Sequence, residues 1–500
     1  MSRGPFILLV VLVSVGVLGC GLGEEKKAAR KGGSEIPLFE DHFGHAVAAA
    51  GDVNKDGFMD VIVGAWGADT TGEDAGAAYI FLGGPQGIKG RGAKEAAIAL
   101  KGEAAINYFG SSVGGNCDLN GDGFADVFVG APLNGRAAKD AGAVYIYYGG
   151  PQGPSPTPSH VIAGIGEGDQ FGLEVACGGD LNKDGVDDLA VGAPLVDLNI
   201  PGDVSGPDTG AVYLFFGSKN GIKAASAKEA DRTIHGIGAG DWFGNAIARV
   251  GDVNKDGVED LLVAAYRNAP GPPQLFRNAG AAYVFFGVPK EGVKQERASK
   301  ADAILPGAAR WDQFGVSLAG AGDVNGDGIP DIIVGADEND RPGKINTGAA
   351  YVYYGSRRGI GGLVDAYLYG DAGGDYLGTS VAGGDLNKDG FGDVVIGARE
   401  SGAGVEKGGA VFIFHGGKEG IEGGPAASAK TILTGTETGS HFGFSVAVLG
   451  DVNGDGHADL IVGAPVHEKA GAAFVFYGSK DGIKSRKATE ADVILLGGSK

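Results

Sequence analysis

The sequence is poor in the residues that mark most enzymes and most disulfide-built domains. Five hundred residues hold three Cys, two Met and three Trp. None of the eight His residues falls in an H-E-x-x-H or similar ligand spacing. No G-x-S-x-G elbow and no Gly-rich loop before a helix occurs. These absences argue against a zinc hydrolase, a serine hydrolase and a nucleotide-binding enzyme, and the chain is expected not to be an enzyme. Basic excess is also missing, with 41 Lys and Arg against 62 Asp and Glu. A chain of net charge −21 has little with which to hold nucleic-acid phosphates. No segment sustains a helical period. The longest apolar run, Phe6 to Leu18, is too short to span a bilayer well.

That run follows Arg3 and ends at Gly19-Cys20, the layout of an exported leader. "VLGC" resembles a lipobox, so residues 1–19 are expected to be a signal peptide and Cys20 a lipidated N-terminus. Residues 20–34 then form a polar tether, and contact with the membrane is expected through this anchor only. The remaining thiols, Cys117 and Cys177, occupy inequivalent places in the repeats described below. No disulfide framework is evident from them, and both are expected to be buried and unpaired.

What is abundant is glycine, 97 residues of it, recurring beside β-branched and aromatic runs. A nine-residue loop, D-x-N-x-D-G-x-x-D, begins at Asp52, Asp118, Asp180, Asp252, Asp323, Asp385 and Asp451. Phe-Gly and an apolar stretch precede each copy, as in "FGHAVAAAGD". A β-branched run ending in Gly-Ala follows, as in "VIVGA", and then a run such as "GAAYIFLG". A turn and a last short strand complete four strands per unit, bounded by Gly-rich turns. Seven such units over residues 35–500 predict one all-β domain, a seven-bladed β-propeller of four-stranded antiparallel blades.

Each loop offers oxygen donors at alternating positions. Calcium takes six to eight oxygens, and the Gly at position 6 lets the loop turn sharply around one ion. The expected ligands in the first loop are Asp52, Asn54, Asp56, the Phe58 carbonyl and Asp60. In the second they are Asp118, Asn120, Asp122, Phe124 and Asp126, and in the third Asp180, Asn182, Asp184, Val186 and Asp188. The fourth offers Asp252, Asn254, Asp256, Val258 and Asp260, and the fifth Asp323, Asn325, Asp327, Ile329 and Asp331. The sixth offers Asp385, Asn387, Asp389, Phe391 and Asp393, and the seventh Asp451, Asn453, Asp455, His457 and Asp459. An EF-hand loop would need an acid at position 12. Val63, Val129, Val191, Val263, Val334, Ile396 and Val462 stand there instead. Positions 1, 5 and 9 of the loops hold 21 Asp, and 62 − 21 leaves 41 acids against 41 bases, so the acid excess equals the Asp at these positions. Up to seven structural Ca²⁺ are expected.

Phe-Gly, the calcium loop and the literal Gly-Ala-Pro at Gly130-Ala131-Pro132, Gly192-Ala193-Pro194 and Gly463-Ala464-Pro465 resemble the FG-GAP repeat of the integrin α-subunit propeller. The resemblance runs over about residues 38–497. Leu377 replaces Phe in the sixth unit and Ala264 replaces Gly in the fourth. It implies a ligand-binding face opposite the calcium loops. Connectivity places the 2–3 and 4–1 loops there, including the long stretches 195–209 and 266–279. Trp66, Tyr108, Trp242, Tyr266, Trp311 and Tyr376 fall on this face, with Arg267, Arg277, Arg310 and Arg341. Trp, Tyr and Arg anchor interfaces, and aromatic faces also stack on sugars. Three readings follow: an adhesion module for a protein partner at the cell surface, a carbohydrate-binding lectin, and a structural envelope scaffold. Similar aromatic pockets between several blades would favour the lectin, and anchors on a few blades the protein binder.

Overall fold

The computed structural model describes residues 41–198, 206–270 and 276–498. The expected signal peptide, Cys20, the tether and parts of the two long 2–3 loops lie outside them. Every blade is four consecutive antiparallel strands. Blade 1 is Val47–Gly51, Asp60–Ala65, Ala77–Phe81 and Ile98–Lys101, and blade 7 ends the chain with Val493–Leu496. The second strand of each blade is buried at all six positions, as in Asp60–Ala65 and Asp188–Ala193. A middle strand packs both faces on neighbouring blades, so its sequence is continuously apolar rather than alternating. Inner strands carry Ala, Gly and Val, and surround an axial cavity of about 330 Å³. The complete helical elements among the described residues are three-residue 3₁₀ turns.

The repeated Phe-Gly and Gly-Ala are the joints between blades. Phe109 is fully buried and bridges Gly76 of the blade before it. Gly110 has φ +86°, and a Cβ there would lie 2.1 Å from the Ala77 oxygen. A Cβ on Gly64 would in turn meet the Gly110 oxygen at 2.1 Å, so two backbones touch where side chains would part them. Leu377 takes the Phe position, buried and bridged to Gly348, and Ala264 is buried within its strand. The ring closes by the same joint. Phe43 bridges Gly471, its N–H donates to the Ala470 oxygen at 3.0 Å, and Ser445 Oγ donates to the Gly44 oxygen at 2.9 Å. Among the described residues each blade keeps its own four strands, and none is borrowed across the seam.

The expectation of unpaired thiols is corrected: Cys117 and Cys177 form a disulfide, with Cα atoms 5.8 Å apart. Cys117 pairs with Asp126 at the end of the inner strand of blade 2, whereas Cys177 pairs with Leu189 further back in blade 3. Neighbouring inner strands are staggered by that amount. Gly115, equivalent to Cys177, likewise faces Ala49 and Ala50 at the end of the blade 1 strand. Inequivalent positions are therefore what the bridge requires.

Outer strands are partly covered by their neighbours. In blades 1, 3, 4, 6 and 7 the chain between third and outer strands makes a strap that pairs, parallel, with the outer strand of the preceding blade. Examples are the Ala163 N–H donating to the Ala225 oxygen at 3.1 Å and His235 to Glu296 at 2.9 Å. Blades 2 and 5 have only 12 residues there (148–159 and 354–365), against 16 in blade 3 (216–231), and form no such pairing. The outer strands of blades 1 and 4 are left uncovered.

Candidate functional site

Consecutive antiparallel strands put the seven D-x-N-x-D-G-x-x-D loops on one face with the 3–4 turns. Each loop is folded around its own acids. Asp52 Oδ1 accepts the Asp56 N–H (3.1 Å) and its Oδ2 the Gly57 N–H (2.9 Å). Asn54 Oδ1 accepts the Asp56 N–H at 3.0 Å, and Asp56 Oδ1 accepts the Phe58 N–H at 3.1 Å. Asp60 is wholly buried, its oxygens accepting the Val53 and Gly83 N–H groups at 2.9 and 2.8 Å. The pattern recurs around Asp126, Asp188, Asp260, Asp331, Asp393 and Asp459, all fully buried.

Burial pushes the Asp60 and Asp126 carboxyls up to about 7 and those of Asp188 and Asp260 up to about 8, against the pull of the backbone N–H groups. Like charge adds to the rise: Asp56 and Asp52 act on Asp60. Neighbouring loops are linked, since Ala125 N–H donates to the Asp52 oxygen at 3.2 Å and Met59 N–H to the Asp451 oxygen at 3.0 Å. The donor set is all oxygen, which suits a hard divalent cation. Among the described residues, Cys117, Cys177 and Asp187 crowd their ligand atoms within 4.8 Å, but those sulfurs are bonded to each other and that group is no metal site.

The opposite face is irregular. Trp66 is 2% exposed, stacked on His42 at 4.1 Å and against Tyr108 at 4.8 Å. Trp242 is 7% exposed, edge-on to Tyr266 and under the Arg267 guanidinium at 3.7 Å. Trp66, Tyr108, Trp242 and Tyr266 thus pack within the blade joints, and the expectation of an accessible anchor is corrected for these four. Tyr376 is half-buried beneath Arg399, 4.0 Å from its ring. Arg399 is itself buried and paired with Asp337 and the Thr379 hydroxyl. Arg341 lies 3.6 Å over Tyr369.

Trp311 differs. It is 39% exposed, with the exposed Arg277 and Arg310 each 5.2 Å from its ring. Its backbone has φ +72°. The residue three before Phe-Gly is a left-handed glycine in four other blades: Gly168, Gly240, Gly374 and Gly439. Only Trp311 and Ile106 put a side chain there among the described residues. Ile106 has φ +59° and is 48% exposed. A left-handed backbone costs an ordinary residue about 1–2 kcal/mol. Ile106 was missed in the sequence, although aligning the units on Phe-Gly would have shown it beside four glycines.

The FG-GAP repeat model matches residues 43–81, 109–147, 171–215, 314–353, 377–414 and 442–476. The chain carries six FG-GAP repeats. Blade 4, with Ala264 at its joint, falls between the matched segments. Integrin α subunits are similar to it in sequence. Integrin alpha-PS5 of Drosophila melanogaster is 32% identical over 209 residues, covering 41% of this chain and 18% of the relative. Integrin alpha-IIb of Mus musculus is 36% identical over 174 residues, 33% of this chain and 16% of the relative. Integrin alpha-5 of Xenopus laevis is 30% identical over 241 residues, 45% and 20%. The chain spans a fifth or less of the length of these relatives. A solved structure of BBS1N in complex with ARL6DN overlaps 85% of this chain and 90% of that chain, at TM-score 0.45 and 10% identity. This FG-GAP propeller is integrin-α-like, with one regular face of acidic loops and one irregular face.

Proposed function

We propose that this FG-GAP propeller is an adhesion-type binding module that recognises a protein partner through the face opposite its acidic loops. The observation that carries the reading is Trp311. A large apolar ring is held exposed, between two arginines, on a backbone conformation that glycine would adopt without strain. Strain kept at an exposed residue is a mark of function rather than packing. Ile345, 72% exposed in the 2–3 loop of blade 5, extends the apolar surface of this blade. Arg–aromatic pairs gather on blades 4 to 6, and the equivalent positions of blades 2 and 3 do not repeat them. Anchors on a few blades favour a protein partner over a glycan.

The acidic loops support calcium as a structural ion. Asp, Asn, Asp, a carbonyl and Asp would hold it in each loop, and it would neutralise carboxylates that otherwise face one another. Outside the described residues, Phe6–Leu18 and Cys20 support an exported, lipid-anchored setting in the cell envelope.

The test compares wild-type protein with Trp311→Gly for capture of cell-surface proteins in millimolar calcium. Glycine fits φ +72°, so stability is expected to hold or rise by about 1 kcal/mol while capture of the partner is lost. Equal capture by the variant would remove Trp311 from the reading. Calcium-dependent hits on a glycan array that survive in Trp311→Gly would favour the lectin instead.

A further inference from the structure

The loop face carries a cavity that breaks its sevenfold regularity. It measures about 610 Å³ and lies between the strap of blade 6 and the turn of blade 7. The corresponding cavity in blade 3 measures about 310 Å³ and is lined by Phe216, Glu229 and Asp231. In blade 3 the Asp231 carboxylate accepts the Phe216 N–H at 2.8 Å. The same bond is made by Asp302 to Phe286 at 2.8 Å, Asp365 to Tyr354 at 2.7 Å and Asp492 to Tyr477 at 2.7 Å. Blade 6 has Lys430 at that position and His415 at the position of the aromatic ring. Ser428 stands where blades 1, 3 and 7 have Glu95, Glu229 and Glu490. Gly423 and Gly424 replace the pair Ala224 and Ala225 of blade 3, which opens the floor.

Relative to blade 3, blade 6 has therefore lost the Asp231 and Glu229 carboxylates, gained Lys430 and His415, exchanged Lys223 for Glu422, and doubled the cavity. Lys480 of blade 7 lines the opposite side. His415 Nδ1 lies 3.0 Å from the buried Asp393 carboxylate, which fixes the ring against the cavity wall. The Ser428 hydroxyl donates to the Pro425 oxygen at 2.7 Å. Glu422 and Asp481 also border the opening, and both are exposed to solvent.

The geometry points to a second binding site here, for a small molecule bearing an oxyanion, a carboxylate or a sulfate, set between Lys430 and Lys480. The volume lies in the range of small-ligand sites, about 300–1,000 Å³. An acidic sugar and a free inorganic anion share this chemistry.

Full-length protein in millimolar calcium is titrated calorimetrically with glucuronate, with sodium sulfate and with glucose. The discriminating variant is Lys430→Asp, which restores the residue that blades 3, 4, 5 and 7 already fold with. Binding of glucuronate or sulfate, weakened at least tenfold in Lys430→Asp with an unchanged melting temperature, supports the site. Glucuronate binding without sulfate identifies an acidic sugar, and binding of both identifies the oxyanion alone. No binding to folded wild type, equal binding by the variant, or glucose binding as tight as glucuronate overturns it. His415→Tyr, which restores the ring found in blades 2, 5 and 7, is expected to reduce binding as well.

Discussion

The two faces of this ring are built from the same seven units and have diverged differently. On the acidic-loop face, the hydrogen bonds around Asp52 recur around Asp118, Asp252 and Asp385 with the same donors and acceptors. On the other face the side chain just before the joint differs from blade to blade: Tyr108 packs against Trp66, Trp242 lies against Tyr266 and under Arg267, and Tyr376 lies under Arg399. A feature kept in all seven units answers a need of every unit, which is stability. A feature present in one or two answers a need of the whole molecule, which is recognition. The blade 6 cavity is the exception that the loop face allows itself.

If calcium serves stability on the loop face, its removal should have the largest effect. At tenfold excess over its dissociation constant each site contributes about 1.4 kcal/mol, and seven together about 10 kcal/mol. Scanning calorimetry with a chelator should then show a large drop in melting temperature, and no drop would break the comparison. The irregular face has its own stability term in the buried Arg399–Asp337 pair. Arg399→Ala leaves Asp337 buried and uncompensated and should cost about 3–5 kcal/mol in chemical denaturation. Cys117→Ser opens a loop closed across 60 residues and should cost about 2–4 kcal/mol, with intact-mass analysis checking that the bond was present. Smallest are the single loop acids. Asp60→Asn and Asp188→Asn each keep one side-chain oxygen and leave one backbone N–H without its acceptor, at about 1–3 kcal/mol per variant. The two values should agree closely, and a wide gap would show that the loop face is less uniform than its bonds.

Much of the fold was legible because its signals are local. Runs such as "VIVGA" bounded by glycine read as strands, and positions 1, 3, 5 and 9 of the loop read as one donor set whatever the blade. The face assigned to Trp242 and Trp311 also followed from strand count alone. Depth on that face did not, because burial depends on the neighbouring blade: Trp66 and Trp242 sit inside a joint, and Trp311 sits above one. The Cys117–Cys177 bridge was hidden for a similar reason. The stagger between inner strands is a property of two blades, and comparing equivalent positions pointed away from it. The closing joint at Phe43 and Gly471 joins residues more than four hundred apart, yet its parts are the same Phe and Gly as every other joint.

The straps on the outer strands bear on how copies of this molecule behave when crowded. An uncovered strand edge offers free N–H and C=O groups to any other strand and invites open-ended association. Five edges are filled by the chain itself. At the two that are not, the last outward-facing position of the strand is Pro306 in blade 4 and Lys101 in blade 1. Proline has no N–H to give, and a row of copies stacked at Lys101 would bring like charges together. Edge pairing between copies is thus opposed at the end of every outer strand, by hydrogen bonding at five blades, by a missing donor at one and by charge at the last.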